Sequence, residues 1–265
     1  MHPIERLRYV ARASGADQAM LVRETAGALA AFADDPAGLV TACRRIVSRH
    51  PGSGPLWWLC SRVLTATEPM REAWTASDEL DDDRTGAALA HALPEDATVC
   101  VIGWPDLVGE ALRRRGDLDV LVVDALGEGS GLVRVLERSD VAVTDVPVTG
   151  TAAAAAAADL VLLEGSAVGP AGALSISGSR AAAAVASTSG TPVWLTAGVG
   201  RHVPARIWDC MVQRLDDACD PWDADEEVVP IDLIDRVVGP GGPEDPAEAR
   251  KRTDCPIAPE LFKEL

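Results

Sequence analysis

ADLVLLEGSAVGPAGALSISGSRAAAAVASTSGTPVWLTA, residues 158–197, reads as strand, glycine-rich loop, helix and strand. Residues 159–165 form an apolar run closed by a carboxylate and a glycine, the pattern of a strand covered on both faces. Residues 179–190 are alanine-rich and end on Gly190, a helix with its stop signal. Residues 191–198 are the next strand. A loop that enters a helix presents unpaired N–H groups and the positive end of the helix dipole, a ready anion site. The loop between Gly165 and Ser179 is long and made of small residues, which lets a ligand approach the backbone closely.

Upstream the same alternation continues. Residues 97–103 and 118–125 are apolar strands, with an amphipathic helix at 105–116 between them. The helix at 131–139, the strand at 141–148 and the alanine helix at 152–158 follow. Strands alternating with short helices give a parallel sheet with helices on both faces. Ligands of such sheets sit beyond the carboxyl ends of the strands. Residues 1–92 differ: they carry helical spacing, with turns at Pro36 and at PGSGP (51–55), and read as a helical domain. The acidic segment DELDDDR (78–84) reads as solvated. The α/β domain spans 93–265 and ends in an irregular, acidic and Pro/Gly-rich tail.

Composition narrows the partners. The formal net charge of −17 disfavours nucleic acid and anionic membranes, which need clustered Lys and Arg. No apolar run reaches the ~20 residues of a membrane span. The six cysteines have no C-x-x-C pair, which fits free thiols in a reducing cytoplasm. The alanine-rich, lysine-poor composition fits a high-GC bacterial gene. The four histidines lack ligand spacing, so neither a metal nor another cofactor is expected. His202 is expected at the surface and Cys100 as a buried, inert thiol.

The candidate site residues lie at strand ends. Asp124 and Glu164 each close a buried strand, where a carboxylate can act as an acid or base or bind sugar hydroxyls. The ligand-binding candidates are Gly165, Ser166, Ser177, Gly178, Ser179 and Arg180. Arg180 stands in the first turn of a helix, where the dipole disfavours a cation unless an anion joins it. Arg201 is the other candidate anion clamp. Trp104, directly after the first strand, is placed to line the pocket mouth or to pack.

Residues 158–197, together with EEVVPIDLIDRVV (226–238) and the helical front, resemble the family of the initiation factor 2B regulatory subunits (alpha, beta, delta) and the methylthioribose-1-phosphate isomerases. The resemblance covers roughly residues 95–240. It implies a Rossmann-like domain of the ribose-5-phosphate isomerase and CoA transferase type, and a homodimer formed through it. Enzyme members of the family use a cysteine and an aspartate; regulatory members bind phosphorylated sugars, nucleotides or proteins. This sequence departs at the chemistry. The family's Gly-Ala-Asp aspartate falls at Ser166. Its Asn-Lys falls at Ser175 and Ile176, while Gly178 and Ser179 keep the following Gly-Thr step. The phosphate-holding arginine falls at Leu126. The cysteine loop falls near Gly103 and Trp104. A serine hydroxyl is not ionised near neutral pH and cannot take over a carboxylate's proton transfer. The expectation is a divergent, non-isomerase member that binds a small anionic metabolite or a protein partner. The alternative is a sugar-phosphate aldose–ketose isomerase with a rearranged site and Asp124 or Glu164 as base. A third reading is a pure interaction protein with an empty pocket.

Overall fold

A computed structural model describes residues 18–263. The expected helical domain begins before them, so its first 17 residues lie outside the described part. Five helices come first: α1 (Gln18–Leu29), α2 (Pro36–Arg49), α3 (Gly54–Thr65), α4 (Pro69–Asp81) and α5 (Thr85–Ala92). Their boundaries follow local chemistry. Asp35 caps α2 by accepting from Gly38 N at 2.9 Å, and Pro36 supplies a preset φ at the first helical position. The PGSGP turn delivers Leu56, Trp57, Trp58 and Leu59 into the core at the start of α3. The segment 78–84 is largely exposed, as expected, with Leu80 buried and Asp83 half-buried. Asp83 accepts from Val199 N at 2.9 Å and from the Thr85 hydroxyl at 2.6 Å, so it ties the helical part to the sheet.

The sheet part runs β1 (Thr98–Ile102), α6 (Asp106–Leu112), β2 (Asp119–Asp124), α7 (Gly129–Glu137), β3 (Ala142–Pro147), α8 (Thr151–Ala157) and β4 (Leu160–Glu164). It continues with β5 (Ala167–Val168), β6 (Gly172–Ile176), α9 (Ser179–Ser189), β7 (Val193–Thr196), α10 (Ala205–Asp216) and β8 (Glu226–Pro230). β9 (Arg236–Gly239), β10 (Gly242–Glu244) and α11 (Pro246–Ala249) complete the set. The main sheet has seven strands in the order β10-β9-β7-β4-β1-β2-β3, parallel except for β10. The chain moves outward from β1 through β2 and β3, then returns to β4 and leaves in the other direction. The topological switch point therefore falls between β1 and β4.

Alternation within each strand builds two apolar layers. Cys100, Ile102, Val161 and Leu163 face the alanines of α8 and α9. Val99, Val101, Leu160 and Leu162 face Leu89 of α5, Leu112 of α6 and Leu132 of α7. The third core joins the helical part to distant chain: Val22, Trp57 and Leu59 share it with Leu174, Ile207, Met211, Cys255 and Leu261.

Two expectations are corrected. The stretch 165–179 is not one continuous loop, because β5 and β6 form a hairpin inside it. The tail is not irregular: β8 pairs with β6 to make a three-stranded antiparallel sheet, and β9 joins the main sheet beside β7. These strands have two to five residues and are interrupted by Gly and Pro, so local pattern is too short to announce them and tertiary pairing creates them.

Trp58 concentrates the packing between the parts. It is 2% exposed, donates from Nε1 to Asp254 O at 3.1 Å, and carries the Arg62 guanidinium 4.5 Å above its ring. Gly200, at φ +74°, brings backbone against the same ring. Replacing Trp58 with Ala should lower stability by ~3–5 kcal/mol, the cost of deleting a large core side chain. Urea unfolding of the variant should show an earlier midpoint at unchanged slope; a loss below ~1 kcal/mol would contradict this packing.

Candidate functional site

The carboxyl edge at the switch point gathers most of the candidates. Glu164 is the last residue of β4, and Asp124 is the last residue of β2. Gly178, at φ +98°, turns the chain into α9, with Ser179 as its first residue. The left-handed turn suits glycine, and it sets Gly178 beside Ile102 and Ala125 at the ends of β1 and β2.

Both carboxylates have partners from within the chain. Glu164 Oε2 accepts from Leu107 N at 2.8 Å and Val108 N at 3.1 Å, in the first turn of α6. Pro105 precedes that helix and has no side-chain acceptor, so β4 provides the cap. Glu164 Oε1 meets Arg201 Nη1 at 2.9 Å, and the same nitrogen donates to Gly165 O at 2.7 Å. The two side chains are 10% and 5% exposed. A buried pair of this kind holds because further hydrogen bonds support both ions: the two α6 amides for Glu164 and Gly165 O for Arg201. Asp124 Oδ1 accepts from Gly129 N at 2.9 Å, at the start of α7.

The helix that follows the glycine-rich loop is filled in the same way. Glu227 Oε1 accepts from Gly178 N at 2.7 Å and from Arg180 N at 3.0 Å. A carboxylate of the chain thus sits where the amides of α9 would hold an anion. Ser177 is held by the same segment: its N–H donates to Asp225 O and its hydroxyl to Ala224 O. Ser166 donates from its hydroxyl to Glu226 Oε1 at 2.5 Å, and its carbonyl accepts from Gly54 N at the start of α3. Burial pushes the Glu226 carboxyl above the usual range, the Ser166 hydrogen bond opposes this, and Asp225 adds to it.

Ile176, at the family's lysine position, covers the turn after β1: a Cβ on Gly103 would fall 2.5 Å from its Cδ1. The hydroxyls of Ser175 and Ser179 are buried without a hydrogen-bond partner among the described residues. Arg180 is exposed and only its backbone N–H is engaged by Glu227. Trp104 packs its ring over Gly131 while remaining 36% exposed. Cys100 is buried, and burial drives its thiol up to about 12. His202 is not at the surface as expected: it is 2% exposed, and burial lowers its pKa. The bridge between Val168 and His202 draws it inward, a pairing of residues too far apart for local pattern to reveal. Among the described residues no cluster of three or more His, Cys, Asp and Glu is arranged to hold a metal.

Sequence reasoning named Asp124, Glu164, Ser166, Ser177, Gly178, Ser179, Arg180 and Arg201 but gave no role to Glu226 and Glu227. Their signal is the position of the pair directly before Val228-Val229-Pro230, a short β-branched run bounded by polar residues. In the ladder of β6 and β8, Ser175 stands opposite Glu227 and Ile176 opposite Glu226.

No family model matches the sequence, and no curated protein matches it. Solved structures do. The translation initiation factor eIF-2B of Pyrococcus horikoshii OT3 superposes with a TM-score of 0.77 at 13% identity, covering 93% of this chain and 98% of that one. The tetrameric eIF2B-beta2-delta2 complex of C. thermophilum gives 0.75 at 17%, covering 94% and 92%. The eIF2B delta of Chaetomium thermophilum gives 0.67 at 18%, covering 89% and 96%. The chain therefore has the helical-plus-α/β fold of the eIF2B subunits over most of its length. At these identities it is the fold that is shared.

Two results should follow from the carboxylates. Arg201→Met leaves Glu164 buried and unpaired, and should cost ~3–5 kcal/mol, as breaking a buried pair does. Adding Glu164→Gln should restore much of that loss in a double-mutant cycle. Glu227→Ser should free the amides of α9. Phosphate titrated against the variant should then give weak saturable binding, followed by ³¹P NMR, that the parent protein lacks. Equal binding by both would show that Glu227 does not occupy the anion position.

Proposed function

We propose that this chain is a divergent, non-catalytic relative of the eIF2B subunits that works by binding a protein partner, first of all a second copy of itself, through its sheet domain. The observation that carries this reading is that the amide groups at the starts of α6, α7 and α9 are already engaged by Glu164, Asp124 and Glu227. A phosphorylated sugar or nucleotide would have to displace a carboxylate and then face its charge. An isomerase base must reach a substrate proton, whereas Glu164 is bound to a guanidinium and two amides and Asp124 to the start of a helix. Ser166 stands where the family's aspartate would act. We expect no turnover of methylthioribose-1-phosphate.

The partner surface is drawn from the same edge. Trp104, Leu126 and Val148 follow β1, β2 and β3 in turn and are 36%, 42% and 52% exposed. β3 is an edge strand, and Ala152, Ala153, Ala156 and Ala157 of the neighbouring α8 are exposed. An apolar rim beside an open strand edge is a surface that association covers. The tetrameric assembly of the beta and delta subunits gives such association a precedent in this fold. Cys43, Cys60, Cys100, Cys219 and Cys255 form no disulfide, which supports a reducing, cytoplasmic setting. Ligand binding is a second reading on one observation, the buried unpartnered hydroxyls of Ser175 and Ser179. It fits a neutral polyol better than a phosphate, because Glu227 accepts hydrogen bonds from hydroxyls and repels anions.

Light scattering at micromolar concentration should give twice the chain mass of 27.7 kDa. Leu126→Glu combined with Val148→Glu should return the monomer with the fold intact by circular dichroism. A monomeric parent, or a dimer indifferent to both changes, would overturn the proposed surface.

A further inference from the structure

A cavity of about 320 Å³ lies away from the carboxyl edge, between α1 and α2 of the helical part. Its size is at the lower end of the ~300–1,000 Å³ range of small-molecule pockets. Two helical stripes build it. Thr25, Ala28, Leu29 and Phe32 come from α1 and the residues beyond its end; Ala42, Arg45, Ile46 and Arg49 come from α2. Both follow the i, i+3, i+4, i+7 spacing of a single helix face. The α1 stripe is uncharged, and the Thr25 hydroxyl is turned away into a 2.7 Å bond to Leu21 O. The α2 stripe adds two guanidinium groups, and His50 caps the helix beside them.

Charge makes this place unusual in the molecule. The chain carries 41 acidic against 24 basic residues, yet the cavity is lined by two arginines and a histidine with no Asp or Glu. Arg44, next in sequence but on another face, is engaged by Glu260 O. Arg45 and Arg49 are exposed, and neither side chain enters an ion pair or a hydrogen bond among the described residues. Burial and the nearby Arg49 lower the pKa of His50. An apolar floor with an uncompensated cationic rim complements a molecule with an apolar tail and an anionic head.

We propose that the groove between α1 and α2 binds an amphiphilic carboxylate, with its tail on Ala28, Leu29, Phe32, Ala42 and Ile46 and its head at Arg45 and Arg49. The head replaces two unpaired cations with charge-assisted hydrogen bonds, which are stronger than neutral ones. The tail covers apolar surface otherwise left to water. This site is independent of the dimer surface and of the engaged amides at the sheet edge.

The test uses the full chain and sodium decanoate. The His50 ring protons are followed by NMR across a pH series and calorimetry gives the affinity. Saturable binding at one site is expected, with the His50 titration moving to higher pH as the carboxylate offsets Arg49. Decanol, which keeps the tail and lacks the charge, should bind at least tenfold more weakly, as should decanoate to the Arg45→Gln/Arg49→Gln protein. Ala42→Phe should abolish binding by filling the floor; if that variant loses its fold, the arginine variant carries the test. Absence of saturable decanoate binding overturns the proposal. So does equal affinity for decanol, which would mean a plain apolar hole. A change of oligomeric state in the arginine variant without decanoate binding would assign the groove to a second copy and likewise overturn it.

Discussion

The buried pair of Glu164 and Arg201 holds the carboxyl edge of this protein together. One carboxylate closes the central strand β4, caps α6 through two amides and neutralises an arginine from the segment after β7. That arginine also binds Gly165 O, and its carbonyl accepts from Val168 N, so the hairpin of β5 and β6 is set by the same residue. Neither ion is tolerable alone at this depth. The strand end, the helix start and the hairpin must therefore form together.

The same logic repeats along the edge. In an open α/β sheet the helix starts near the switch point offer free donors. Here Asp124, Glu164 and Glu227 satisfy them from within, and Ile176 lies over the turn at Gly103. The arrangement rigidifies the fold at the place where related architectures admit ligands, and it leaves the apolar residues Trp104, Leu126 and Val148 outward on the rim.

Much of this was legible in the sequence. The strands and helices of residues 97–164 and 178–198 announce themselves because their apolar runs are continuous and their glycines stand at real turns: Gly103, Gly178 and Gly190 all have positive φ. Glu164 and Asp124 were found because a parallel strand carries its last residue to the ligand edge. What was not legible depends on pairing across long stretches. β6 and β8 are strands because they meet each other, and Glu227 reaches Gly178 across 49 positions. His202 was misplaced for the same reason, since an isolated bridge to Val168 buries it. A local reading could recognise the anion site and could not see that the chain supplies its own anion.

The distance between Gly178 and Glu227 has a temporal meaning. A polypeptide leaves the ribosome in order, at ~5–20 residues per second. The residues of the first turn of α9 are joined to the chain well before residue 227, so Glu227 reaches them only later. For those seconds the amides at the start of α9 lack the carboxylate that satisfies them in the finished protein.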